Sequence, residues 1–169
     1  MIRPILTIPN PVLARKAQPV TEVNDTIRAL ARDMAETMYD APGVGLAAPQ
    51  VGESLRLIVI DVAGKQEPPN LITVINPVVV EGAGDVYDEE GCLSVPDYSA
   101  PVERFETVTV RGLNLEGHER TWQADGLLAI AFQHEIDHLD GILFIDRISA
   151  LKRDLYLKKL RKMRRQGSI

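Results

Sequence analysis

Apolar residues first recur at helical spacing. Ile27, Leu30, Met34 and Met38 mark one face of a helix over residues 25–39. Thr21 and Asn24 both suit its N-cap, and Ala41-Pro42-Gly43 ends it. The pattern then changes to runs rich in β-branched residues. Leu55 to Asp61 reads as a strand, and so does Leu71 to Val80. Pro77 cannot donate to a ladder, so part of that second strand is demoted to an edge or a bulge. Lys65 to Asn70 is a turn-rich connection. Val102 to Arg111 alternates apolar and polar positions, and Gly112 to Gly117 reads as the loop to a paired strand at Glu119 to Ala124.

Asp125 is placed to cap the next helix. Leu127, Leu128, Ile130, Ala131 and Phe132 make that helix apolar almost all round, which predicts a buried, central position ending near Gly141. Ser149 caps a last helix of about residues 149–166, with Leu151, Leu155, Leu160 and Met163 expected inward. No repeat, low-complexity tract or linker interrupts the chain. The expectation is an α+β fold in one domain, residues 1–169. Mainly antiparallel sheets would pack around the central helix, with one helix near each terminus.

The central helix carries His134-Glu135-Ile136-Asp137-His138. Positions i and i+4 share a helix face, so His134 and His138 can grip one ion from adjacent turns. Glu135, one step around, can reach a water on that ion without being a ligand. This is the HExxH arrangement of metal-dependent amide hydrolases. A catalytic site of this kind needs a third protein ligand. No Glu follows Glu135. Gly141 fits the metzincin continuation, but Phe144 stands where its last His should be. His118 has no i+4 partner and reads as a solvated turn histidine. That leaves Cys92 as the best upstream candidate, although a lone Cys is more often a small buried hydrophobe. Cys-His-His suits zinc, iron, nickel or cobalt by ligand type.

Three blocks in order, Gly43-Val44-Gly45-Leu46-Ala47-Ala48-Pro49-Gln50, Glu90-Gly91-Cys92-Leu93-Ser94 and Gln133-His134-Glu135-Ile136-Asp137-His138, resemble the peptide deformylase family. Ile8-Pro9-Asn10-Pro11-Val12-Leu13 resembles its N-terminal segment, so the similarity spans nearly the whole chain. The resemblance implies a hydrolase that removes the formyl group from N-formylmethionine at the start of nascent polypeptides. It implies that Cys92, His134 and His138 hold one divalent ion, Fe2+ in the cell, with Zn2+, Ni2+ or Co2+ able to replace it. An iron–thiolate site open to solvent would be prone to oxidation. The resemblance also gives Glu135 the proton shuttle, and Gln50 and the Leu93 N–H the developing oxyanion. The methionine side chain would be taken by Gly43, Val44, Gly45, Leu127, Ile130 and Ala131. For the last three, plain core packing explains the pattern equally well, and for the glycines so does an ordinary loop that stops a helix. Some members carry an Arg seven residues after the ligand Cys, where this chain has Ser99. Arg104 matches a basic position of the family and is a candidate partner for Glu90.

Composition narrows the rest. One cysteine in 169 residues rules out an internal disulfide and fits a reducing, cytoplasmic setting. No apolar run of membrane-spanning length and no secretory signal region is present. The net charge of −5 is uneven. Residues 147–169 hold nine Lys or Arg against one acid, whereas residues 1–146 hold ten against 23. Such a tail points to a polyanionic partner, and the resemblance makes that partner the ribosome. Neither DNA nor a membrane is expected. Two rivals stay open: another metal-dependent amidase on the same site, and a catalytically silent ribosome- or RNA-binding protein. The second has no use for Glu135.

Overall fold

A computed structural model describes residues 1–167. The first helix, α1, spans Asp25–Asp40. Asn24, not Thr21, is its cap: the Asn24 side chain accepts from the Ile27 N–H at 3.1 Å. Ile27, Leu30, Met34 and Met38 are buried, as their spacing requires.

Strands β1 (Gly45–Ala47), β2 (Leu57–Ile60), β3 (Ile72–Ala83), β6 (Thr107–Leu113) and β7 (Glu119–Asp125) form an antiparallel sheet in the order β1-β2-β3-β6-β7. All four residues of β2 are buried because the sheet is covered on both faces here. Leu57 and Val59 pack with α1, and Ile58 and Ile60 pack toward the second helix. Pro77 sits at a bulge: the register of β3 on β6 shifts between Ile75 and Val78. Asn76 there adopts φ 53° and grips Val20, accepting from its N–H and donating to its carbonyl.

The strand expectations need correction. The run Val102–Arg111 is two strands. Arg104 ends β5 (Val95–Arg104), and Thr107 starts β6. The break is held by the Gln133 side chain, which accepts from the Phe105 N–H at 2.9 Å and donates to its carbonyl at 3.0 Å. A side chain thus takes the place of a strand partner. Two strands were also missed, the short β1 and β4 (Val86–Cys92); the latter pairs with β5 as a separate hairpin. Its acidic run, Asp88-Glu89-Glu90, carries little strand propensity and hid it.

Helix α2 spans Gly126–Leu139 and packs on β1, β2, β3, β6 and β7. Every residue from Ala129 to Leu139 is buried. Asp125 occupies the N-cap position but makes no capping hydrogen bond. Gly141 follows the helix at φ 74°, and a Cβ there would lie 2.6 Å from the Ala14 carbonyl oxygen.

Helix α3 spans Ala150–Arg165, capped by the Ser149 side chain accepting from the Lys152 N–H. Its inward face is rotated from the expected one. Leu151 is 70% exposed and Leu155 59%, while Tyr156 and Leu160 are buried and Met163 is half-buried. Tyr156 wins the inward place because it stacks on Tyr98 at 4.5 Å and donates its hydroxyl to the Pro96 carbonyl. Residues 168 and 169, at the end of the expected basic tail, lie outside the described residues.

This rotation sets a simple stability test. Leu160→Ala should cost about 2–5 kcal/mol in urea unfolding. Leu151→Ala should stay within about 0.5 kcal/mol of the parent. Equal losses at the two positions would contradict the observed face.

Candidate active site

Three elements converge on one cleft. A short 3-10 turn, Ala48–Val51, follows β1 and presents Gln50. The β4–β5 hairpin supplies Cys92 at the end of β4, with Leu93 and Ser94 in its connection. Helix α2 supplies His134, Glu135 and His138. The cleft has a volume of about 840 Å³. Gln50, Cys92, Leu93, His134 and Glu135 line it, as do all six residues expected in the side-chain pocket. His138 lies behind, at 1% exposure. Leu127 is 52% exposed at the cleft, so the plain-core reading does not hold for it, while Ile130 and Ala131 are buried. Ser99 also lines the cleft.

The Cys92 Sγ and one ring nitrogen from each of His134 and His138 all lie within 4.8 Å of one another. Among the described residues this is the only such cluster, and His118 stands apart on an exposed turn. Cys92 Sγ is 3.4 Å from His138 Nε2. His134 Nδ1 meets Glu90 Oε1 at 2.9 Å, which leaves its Nε2 for another partner. A carboxylate behind the imidazole is the usual way to orient a metal-binding histidine. Thiolate and imidazole suit a divalent transition ion, so the donor set fits one metal with an open position.

Glu90 and His134 belong to a buried chain of charges. Arg104 grips Glu90 in bidentate fashion, Nε to Oε2 and Nη2 to Oε1, both 2.8 Å. The third Arg104 contact is to Asp137 Oδ2 at 2.7 Å. Arg147 reaches the same carboxylate through Nε and Nη2. The Arg104–Glu90 pair was a candidate from the family resemblance alone, and the structure shows it. The extension to Asp137 and Arg147 was not foreseen, although a further carboxylate, Asp137, on a helix expected to be buried was a signal.

Charge states follow from these contacts. Burial works against the charged form of Glu90, but its bonds to Arg104 and His134 outweigh burial and hold its pKa below the usual value. Burial likewise opposes charge on His134, yet Cys92, Glu90 and Glu135 raise its pKa well above that of a free imidazole. Burial, with the nearby His134 and Arg104 charges, pushes His138 well below it. The two imidazoles are thus pushed in opposite directions, His134 toward its charged form and His138 toward its neutral one. Burial pushes Glu135 up to about 7. Its Oε2 is buried with no hydrogen-bond partner among the described residues, as is His138 Nδ1.

The family model described as polypeptide deformylase matches residues 2–154. The chain belongs to the peptide deformylase family. It is 57% identical to a peptide deformylase of Acidobacterium capsulatum over 167 residues, covering 99% of this chain and 98% of that one. The Brucella suis peptide deformylase is 49% identical over 167 residues, covering 98% and 95%. The crystal structure of a Legionella pneumophila peptide deformylase superposes with a TM-score of 0.91, at 46% identity and 99% and 98% coverage. That of the Ehrlichia chaffeensis enzyme in complex with actinonin gives 0.90, at 38% identity and 95% and 96% coverage. Peptide deformylases remove the N-formyl group from the formylmethionine of nascent polypeptides, and this chain is a hydrolase of that type.

Gly45 has a second use besides lining the cleft. A Cβ built on it would lie 2.9 Å from Glu135 Cγ and 3.0 Å from its carboxyl carbon. Gly45→Ala should therefore push the Glu135 carboxylate aside. The expected result is a kcat reduced at least about tenfold with metal content unchanged, because the three atoms nearest that Cβ all belong to Glu135 and not to a metal-binding candidate. A variant with unaltered kcat would show that Glu135 tolerates the displacement.

Proposed function

We propose that residues 1–169 act as one cytoplasmic deformylase unit in which Cys92, His134 and His138 hold a single divalent ion, ferrous in the cell. The convergence of those three donors beside the buried, unpartnered Glu135 carboxylate is the observation that carries this reading. On this reading α2 is the central scaffold, with the sheets packed around the motif it carries. When bound, the ion supplies Lewis acidity toward water and the formyl oxygen.

The chain's residues do the rest. The cleft walls at Gly43, Val44, Gly45, Leu127, Ile130 and Ala131 take the methionine side chain and bring the formyl carbon beside Glu135. Glu135 accepts a proton from the attacking water. As oxygen bonds to the formyl carbon, the carbonyl oxygen gains negative charge. The Gln50 side-chain amide and the Leu93 N–H donate to that oxygen. Glu135 then gives the proton to the leaving nitrogen as the C–N bond breaks. Formate and a free amino terminus result. A Glu135 pKa near 7 suits a group that must both take and return a proton, and a bound dication shifts it toward the carboxylate.

Two substitutions separate binding from chemistry. Cys92→Ala should abolish stoichiometric metal, as read by elemental analysis. Glu135→Gln should keep the metal and lose ~10²–10⁴ in rate of formate release from a formyl-Met peptide. Full metal in the first variant, or near-normal turnover in the second, would refute the assignment.

The basic helix α3 is proposed to dock on the ribosome, where the substrate emerges. Lys158, Lys159, Arg161, Lys162, Arg164 and Arg165 are all exposed. Leu160 belongs to a core cluster, so deleting the tail would damage packing, and charge reversal is the cleaner probe. Lys158→Glu, Lys159→Glu and Lys162→Glu together should weaken ribosome co-sedimentation, most of all at low salt. Hydrolysis of a free formyl peptide should be unchanged. Identical co-sedimentation of triple variant and parent across a salt series would reduce α3 to a solvated helix.

A further inference from the structure

Ser94 is fully buried at 0% exposure and has no part in the chemistry described so far. Its hydroxyl donates to the Leu6 carbonyl oxygen at 2.6 Å. Having spent its only hydrogen, it can only accept from other neighbours. The group it accepts from is Gln50 Nε2, at 3.1 Å. The other end of that amide is fixed too, because Gln50 Oε1 accepts from the Ala47 N–H at 3.0 Å, and a backbone N–H is donor only. The Gln50 amide is thus read from both ends, and a flipped amide would set donor against donor at Ala47. One Nε2 hydrogen is committed to Ser94. The other is turned to the cleft side, where it donates to the weak acceptor Cys92 Sγ at 3.7 Å.

The backbone closes this arrangement into a ring. The Leu6 N–H donates to the Gln50 carbonyl at 2.7 Å, and the Ile8 N–H donates to the Ser94 carbonyl at 3.0 Å. Residues 6–8 therefore staple the Gln50 turn to the hairpin connection that carries Leu93. The two segments offering donors to the oxyanion are spaced by a third.

We propose that Ser94 is a positioning residue for deformylation: its hydroxyl, oriented by the Leu6 carbonyl, holds the Gln50 amide with its second N–H facing the cleft, where a formyl oxygen is a better acceptor than the Cys92 sulfur it now meets. The proposal rests on Gln50 acting as an oxyanion donor, and its test keeps the two ideas apart. Ser94→Ala, Gln50→Leu and the double variant are compared in kcat and KM on a formyl-Met peptide, with metal content measured for each.

Gln50→Leu should lose about 10²-fold in kcat. Ser94→Ala should lose about tenfold, the scale of one hydrogen bond, with KM and metal content close to the parent's. The double variant should be no slower than Gln50→Leu, since Ser94 acts only through that amide. If Gln50→Leu is harmless, the oxyanion role itself falls, and this inference with it. If Gln50→Leu is slow but the two losses multiply, Gln50 keeps its role and Ser94 loses its own. An unchanged kcat in Ser94→Ala also overturns the inference. Should Ser94→Ala not fold, Ser94→Cys keeps the volume with a much weaker acceptor and is read in the same cycle.

Discussion

The fold closes around Arg104. It stands at the end of β5, grips Glu90 on β4 and reaches Asp137 on α2, while Glu90 in turn meets His134. One guanidinium therefore fixes the hairpin carrying Cys92 against the helix carrying the two histidines. Buried ion pairs of this sort add little net stability over well-packed apolar residues, because desolvation offsets the attraction. Removing one member is another matter: it strands charges that cost about 3–5 kcal/mol. The network thus contributes alignment more than stability, and it resists any change that breaks it. Arg147 extends it to the segment leading into α3, so the far end of the chain is tied to the same carboxylate.

That alignment allows three weakly connected segments to form one site. The 3-10 turn at Gln50, the hairpin connection at Leu93 and the helix at Glu135 make few local contacts in sequence. Each is pinned by a different device. The N-terminal segment staples the first two through Leu6 and Ile8. The charge chain pins the hairpin to α2. Gly45 provides the close approach that lets β1 lie against the Glu135 side chain. Burial then does electrical work, raising the Glu135 pKa and lowering that of His138, which a solvated site could not do.

The parts of the molecule legible in the sequence are those whose signal is local. The α1 face and the apolar α2 follow from spacing and residue type, which also narrowed the α1 cap to Thr21 or Asn24 and Pro77 to an edge or a bulge. The grouping of His134 and His138 follows likewise, since a helix fixes i and i+4 on its own. Cys92 reached the site through its motif, and nothing in its spacing foretold the hairpin that delivers it. Where tertiary contacts decide, sequence reading went astray. The strand break at Phe105 depends on Gln133, 28 residues away, bonding its backbone. The α3 face depends on Tyr98 stacking with Tyr156, which outcompetes Leu155 for the inward place. The Ser94–Leu6 bond spans 88 residues and leaves no periodic trace.

The same division explains why the candidate metal site is split between a hairpin and a helix. Two histidines on one helix form a half-site that exists whenever the helix does. The third donor arrives only when the β4–β5 hairpin docks, and docking is what the Arg104–Glu90–Asp137 chain secures. Binding of an ion to all three donors is then coupled to the tertiary structure and not to the helix alone. Glu90 also meets His134 Nδ1, so the carboxylate that Arg104 anchors orients one of the helix's candidate donors from the hairpin side.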